Sequence, residues 1–212
     1  PNFCSKELDL LEIGCGNGAS MLLLADSMKS CLGIELFEGN KEEFENLKKK
    51  LNVKNCEFRI FNIEKDKLDR KFDRLISFEV IEHLKDENSV KAYHDLLKDD
   101  GLAAITVPNK WWIFETHGAS LPLLPWNRVP FFSWLPRIIH ERFANARIYT
   151  KKRIIKLLEG AGFKIKRVEY ITAPLDVLKE SSLKSFLLKN IFKGDTTKIP
   201  FLATSIFIVA EK

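Results

Sequence analysis

Apolar positions fall in short runs separated by stretches of helical periodicity. Residues 8–14 (LDLLEIG) are an apolar run stopped by glycine, the pattern of a strand buried on both faces. Residues 17–29 then carry Met21, Leu22, Ala25 and Met28 at helical spacing. The alternation repeats: a strand at 31–35, an amphipathic helix at 39–51 around Phe44, Leu47 and Leu51, and strands at 56–61 and 72–78. A helix at 87–98 leads into a strand at 102–107, and a helix at 150–161, closed by Gly160 and Gly162, leads into a strand near 163–171. A short basic amphipathic helix at 182–193 precedes a last strand at 203–212. Repeated strand–helix alternation predicts an α/β fold, a largely parallel sheet with helices on both faces.

Residues 110–149 break this rhythm. They hold all four tryptophans, nine of the 23 aromatic residues and four of the eight prolines, without sustained periodicity. An irregular stretch of that length in a compact domain predicts a functional segment, here a cap over a substrate. Composition narrows the class. At 212 residues, 45% hydrophobic and 30% charged, the chain fits a single domain spanning 1–212 that needs no disulfide or metal to fold. No run is long enough to cross a bilayer. Cys4, Cys15, Cys31 and Cys56 form no paired motif, which predicts reduced, buried thiols and a cytoplasmic protein. Net charge is only +5, too mild to imply nucleic acid, although 137–169 holds ten Lys/Arg against three Glu.

The candidate chemistry starts at Glu12-Ile13-Gly14-Cys15-Gly16-Asn17-Gly18, where the first strand ends. Glycines there let a ligand approach the backbone, and the following helix start presents free N–H groups. Ligands of such sheets bind at the carboxyl ends of the strands. Glu35 ends the second strand, 21 residues after Gly14, where a carboxylate can accept both hydroxyls of a ribose. The GxGxG spacing, with Ala19 following Gly18, leaves the nucleotide open, and the loop has no Walker lysine. The acidic Glu12 repels a pyrophosphate and suits a ligand bearing an ammonium group.

LLEIGCGNG resembles motif I of the class I S-adenosylmethionine-dependent methyltransferases. GIE at 33–35 resembles their ribose-binding motif, and FDRLISFEVIEHLKD (72–86) and LLKDDGLAAITVPN (96–109) resemble the fourth- and fifth-strand motifs of the UbiE/type-11 group. YTKKRIIKLLEGAGFKI (149–165) matches the late helix and sixth strand. The resemblance implies a Rossmann-like sheet of seven strands, the last antiparallel. It implies a cofactor, S-adenosylmethionine, leaving as S-adenosylhomocysteine. Its binding would involve Glu12, Gly14, Cys15, Gly16, Gly18, Glu35, Leu36, Asn62, Ile63, Phe78 and Glu79. Asn62 stands where the family has Asp, so an adenine N6 contact would come from its amide oxygen. The loop begins only 14 residues in, so a segment preceding residue 1 is expected.

Three residues are candidate bases: His117 and Glu115 in WWIFETHG, and His83 beside the fourth strand. Glu79, Glu82 and His83 also resemble a set associated with a divalent metal in quinone-pathway O-methyltransferases. Loop capping is the preferred reading, with no metal required. The aromatic cap points to a small or lipid-like acceptor, O-methylation favoured. Phe78-Glu79-Val80-Ile81 replaces the Asn/Asp-Pro-Pro-aromatic signature of base methyltransferases and counts against RNA. A cofactor-binding protein without catalysis is the alternative outside enzymes, with Asn62 as its support. Residues 121–139, followed by Arg142 and Arg147, also fit peripheral contact with a membrane.

Overall fold

The computed structural model describes residues 2–120, 129–176 and 178–212. Its strands are β1 (Asp9–Ile13), β2 (Ser30–Glu35), β3 (Cys56–Ile60), β4 (Phe72–Phe78), β5 (Leu97–Pro108), β6 (Lys164–Thr172), β7 (Thr196–Thr197) and β8 (Ala203–Glu211). They form one sheet in the order β3-β2-β1-β4-β5-β8-β6-β7. The strands from β3 to β4 pair in parallel, and the last strands are antiparallel. Among the described residues eight strands replace the expected seven because β7, only two residues long, adds to the edge of β6. Two residues are too few to leave a periodic signature.

The helices are α1 (Ala19–Leu24), α2 (Asn40–Lys50), α3 (Lys91–Asp95), α4 (Arg137–Phe143), α5 (Lys151–Gly160) and α6 (Ser182–Asn190). Two are shorter than their periodicity predicts. α1 gives way to a 3-10 turn at Ala25–Ser27, and a 3-10 turn at Glu87–Val90 precedes α3. Asp86 starts that turn by accepting a hydrogen bond from Asn88 N–H at 2.9 Å, a local competitor to α-helix. β5 begins at Leu97, five residues before the expected 102. No helix among the described residues is long and apolar enough to cross a membrane.

By its internal contacts the chain divides into two compact units. The first comprises residues 1–105, 156–166 and 209–212. Its centre is β1, where Leu10 and Leu11 are fully buried, flanked by Leu32 and Ile34 of β2 and Leu75 and Ile76 of β4. Burial on both faces explains why these strands read as continuous apolar runs. Each such side chain contributes about 1.5–3 kcal/mol. Parallel register, Ile13 with Ile34 and Glu35 with Ile60, sets the carboxyl ends of β1, β2 and β3 along one edge.

The second unit comprises residues 106–155 and 167–208. Its irregular backbone is held by side chains that satisfy carbonyls. The Asn109 amide donates to the carbonyls of Pro200 and Ala203, both at 2.7 Å. Lys110 Nζ donates to Leu135 O at 2.7 Å and Ser133 Oγ to Trp112 O at 2.8 Å. Arg153 pairs with Glu141 of α4 at 2.8 Å. Residues 121–128, which hold Trp126 and part of the stretch expected to contact a membrane, lie outside the described residues.

Candidate cofactor and acceptor sites

In the first unit the loop after β1 folds against the end of β2. Gly14 N–H and Cys15 N–H both donate to Ile34 O, at 2.9 and 3.1 Å. Gly14 has φ +69, and a Cβ there would lie 2.4 Å from Val80 Cγ2, so close packing as well as backbone conformation demands glycine. Gly16 differs. Its φ is +51, yet a Cβ would meet nothing within 4 Å, leaving open space over the loop. Gly18 precedes α1 in the left-handed region, with φ +75. Cys15 is buried, and burial pushes its thiol up.

Glu35 ties this loop to the end of β2. Its Oε2 accepts from Gly16 N–H at 2.8 Å, and Oε1 accepts from Leu36 and Phe37 N–H at 2.7 and 3.0 Å. A carboxylate has about four acceptor positions, so room for a further donor remains. Glu12 bonds to α1 instead. It is buried and its Oε2 accepts from Met21 N–H in the first turn of α1 at 3.1 Å. Burial pushes its carboxyl up to about 8.

A cavity of about 300 Å³ opens beside the loop, and eight of the residues singled out from sequence line it: Gly14, Glu35, Leu36, Asn62, Ile63, Phe78, Glu79 and His83. Glu12, Cys15, Gly16 and Gly18 are not among its lining. Asn62 does not simply present its amide oxygen. Oδ1 accepts from Glu64 N–H at 2.9 Å in a local turn, which leaves its second lone pair and the NH₂ for other partners.

Ile13, Ile34, Phe61, Glu64, Val80 and Leu84 also line the cavity and were not among the residues expected to bind the cofactor. Glu64 is the most consequential. Its carboxylate accepts from Asp86 N–H, Lys85 N–H and Ser89 Oγ at 3.0–3.2 Å, joining the loop after β3 to the loop after β4. Those bonds outweigh the effect of burial and hold its carboxyl low. At the end of β4, Glu79 takes φ +57, uncommon for a residue with a side chain and typical of strain at functional sites. Glu82 is 2% exposed, and burial together with the neighbouring Glu79 pushes its carboxyl up to about 9. Burial therefore keeps Glu82 protonated near neutral pH.

In the second unit, Glu115 is buried and pairs with His140 of α4, Oε2 to Nε2 at 2.7 Å. His117 is half-buried. Its N–H donates to Glu115 Oε1 at 3.3 Å and its Nδ1 lies 3.0 Å from Thr116 Oγ1. Glu115 thus accepts from both His140 and the His117 backbone. His140, 25 residues further on, carried no sequence signal. Trp112, Phe114 and Glu115 line a cavity of about 250 Å³ within this unit.

A family profile described as a methyltransferase domain matches residues 2–168. The chain belongs to the class I S-adenosylmethionine-dependent methyltransferases. It is 30% identical over 171 residues to a ubiquinone biosynthesis O-methyltransferase from Pelagibacter ubique, covering 76% of this chain and 67% of that protein. It is 32% identical over 96 residues to (S)-coclaurine N-methyltransferase from Papaver somniferum, covering 44% of this chain and 27% of that protein. The fold is similar to the crystal structure of an S-adenosylmethionine-dependent methyltransferase from Mesorhizobium loti, with a TM-score of 0.68 and 14% identity over 100% of this chain and 93% of that one. The methyltransferase uses S-adenosylmethionine as its cofactor. The first unit fits that molecule: open space over Gly16, the Glu35 carboxylate at the end of β2, and apolar walls from Leu36, Ile63 and Phe78.

Proposed function

We propose that this methyltransferase acts on a small or lipid-like, partly apolar acceptor, with a hydroxyl oxygen as the favoured site of methylation. The observation that carries the reading is the cavity in the second unit, lined by Trp112 and Phe114 beside the buried Glu115. It suits an acceptor with flat or greasy surface and one polar group. The similarity to an O-methyltransferase favours oxygen.

Bound S-adenosylmethionine supplies an electrophilic methyl on a sulfonium. Glu35 would hold the ribose hydroxyls, while Asn62 and Ile63 would border the adenine. Gly14, Cys15, Gly16 and Gly18 would give the backbone close approach, and Phe78 and Glu79 would line the methyl-donor end. Residues 110–149 would form the acceptor cap, excluding water and aligning the nucleophile. Glu35→Ala removes a carboxylate that also organises Gly16, Leu36 and Phe37. It is expected to weaken cofactor binding by about 1.5–3 kcal/mol, measured by calorimetry.

His117 is proposed as the base that takes the acceptor proton, with Glu115 and His83 as alternates. His117→Ala should lower turnover roughly 10²–10⁴-fold with cofactor affinity nearly unchanged. Equal losses in turnover and cofactor affinity would instead mark a structural role. The decisive experiment for the acceptor class is transfer of labelled methyl to separate pools of phenols, amines, lipids and RNA. Label in the hydroxylated small molecules supports the reading, and label confined to RNA overturns it.

A further inference from the structure

The cavity of the first unit is walled by loops from two strands that are not neighbours. β2 and β1 lie between β3 and β4 in the sheet, which places β3 and β4 about 14 Å apart. The loop after β3 contributes Asn62, Ile63 and Glu64 to the cavity, and the loop after β4 contributes Val80, His83 and Leu84.

Each loop is braced from within. After β3, Lys65 and Asp66 N–H donate to Asn62 O at 3.0 and 2.8 Å, and Asn62 N–H donates to Asp66 Oδ2 at 2.7 Å. After β4, His83 N–H donates to Val80 O at 2.9 Å, and Ser89 N–H donates to Asp86 O at 3.0 Å. Glu64 joins the two braced loops. Its N–H holds Asn62 Oδ1 at 2.9 Å. Its Oε1 accepts from Asp86 N–H and Ser89 Oγ at 3.0 and 3.2 Å, and its Oε2 accepts from Lys85 N–H at 3.2 Å. One residue therefore fixes the amide of one wall and the backbone of the other. Bonds to a carboxylate are stronger than neutral ones, and walls already in place lose less freedom when a ligand binds.

We propose that Glu64 is a positioning residue for cofactor binding, setting the separation between the wall at Asn62 and Ile63 and the wall at Val80–Leu84. It acts through the loops it joins. Ser89 is its outer anchor, bonded to Glu64 and not among the lining of the cavity. The inference rests on the reading that this cavity holds S-adenosylmethionine, and it adds a residue to those expected to grip that molecule.

Calorimetric titration of the full chain with S-adenosylhomocysteine tests this. Glu64→Ala is expected to weaken binding roughly 10–30-fold. Glu64→Gln should recover part of the loss. Its amide oxygen can still accept from Asp86 and Ser89, while its NH₂ faces the Lys85 N–H. Ser89→Ala should weaken binding about 3-fold in the wild type and have no further effect in Glu64→Ala, because its hydroxyl acts through the carboxylate. A loss that is merely structural would add equally in both backgrounds and show no recovery with Gln, and either result overturns the proposal. Affinity within about 2-fold of wild type in Glu64→Ala does so too. Should Glu64→Ala fail to fold, wild-type affinity in both Glu64→Gln and Ser89→Ala is the overturning result. Glu35→Ala, titrated alongside, separates the two failures. Weakened binding there with intact binding in the Glu64 variants rejects the positioning role alone, and intact binding in all of them also removes the cofactor from this cavity.

Discussion

Gly16→Val is expected to lower affinity for S-adenosylmethionine by roughly 100-fold or more, about 2.7 kcal/mol, in a protein that still folds. Two effects combine. At φ +51 a β-branched side chain is strained, at a cost on the order of 1–3 kcal/mol, and relief by backbone rotation would pull Gly16 N–H away from Glu35 Oε2. The added methyl groups would also occupy the open space over the loop. The fold should survive, because a Cβ at Gly16 meets no protein atom within 4 Å. Gly14→Val is the contrasting control. Its Cβ would lie 2.4 Å from Val80 Cγ2, so loss of stability should accompany loss of binding. Calorimetric titration with cofactor, paired with thermal melting, separates the two. Wild-type affinity in Gly16→Val would remove the loop from the binding site.

The contrast between these glycines marks how far sequence reading reaches. The strand-to-glycine pattern located the loop, and the acidic end of β2 located Glu35, because both signals are local and periodic. That Gly14 is closely packed while Gly16 faces open space depends on Val80, 66 residues away from Gly14 in the chain. The same limit hid the Glu115–His140 pair, which joins two irregular segments 25 residues apart. Asn62 was read as a ligand residue and also proves to be a turn residue, because a short polar side chain can close on its own backbone at Glu64. The expected long helices failed for a local reason too. Periodicity continues through 3-10 turns such as Glu87–Val90, so apolar spacing alone overstates α-helix.

Glu12 joins the site to stability. Its folded carboxyl titrates at about 8, against an ordinary value of 4.5 that the unfolded chain should approach. With the folded value raised, the unfolded state loses its proton first. This group's contribution to stability is therefore fully present below about pH 4.5 and is lost as pH rises through 8. Glu82, titrating at about 9, acts in the same direction. Glu12→Gln keeps an acceptor for Met21 N–H and removes the ionisation. It should flatten the decline in unfolding free energy between pH 5 and 8.5 and leave the variant about 2–4 kcal/mol more stable than wild type at pH 8.5. Glu82 prevents the slope from vanishing. The test is denaturant unfolding of both proteins across that range without cofactor, and identical slopes would show that Glu12 does not carry the dependence. Cofactor titration of the same variant gives the functional half. If Glu12 supplies negative charge to the cofactor's ammonium, Glu12→Gln gains stability and loses affinity together, and affinity in wild type rises as pH approaches 8. A buried acid that destabilises the empty fold at working pH is then retained for the ligand it binds. Unchanged affinity would leave Glu12 as a hydrogen-bond acceptor for α1 alone, which its contact with Met21 already satisfies.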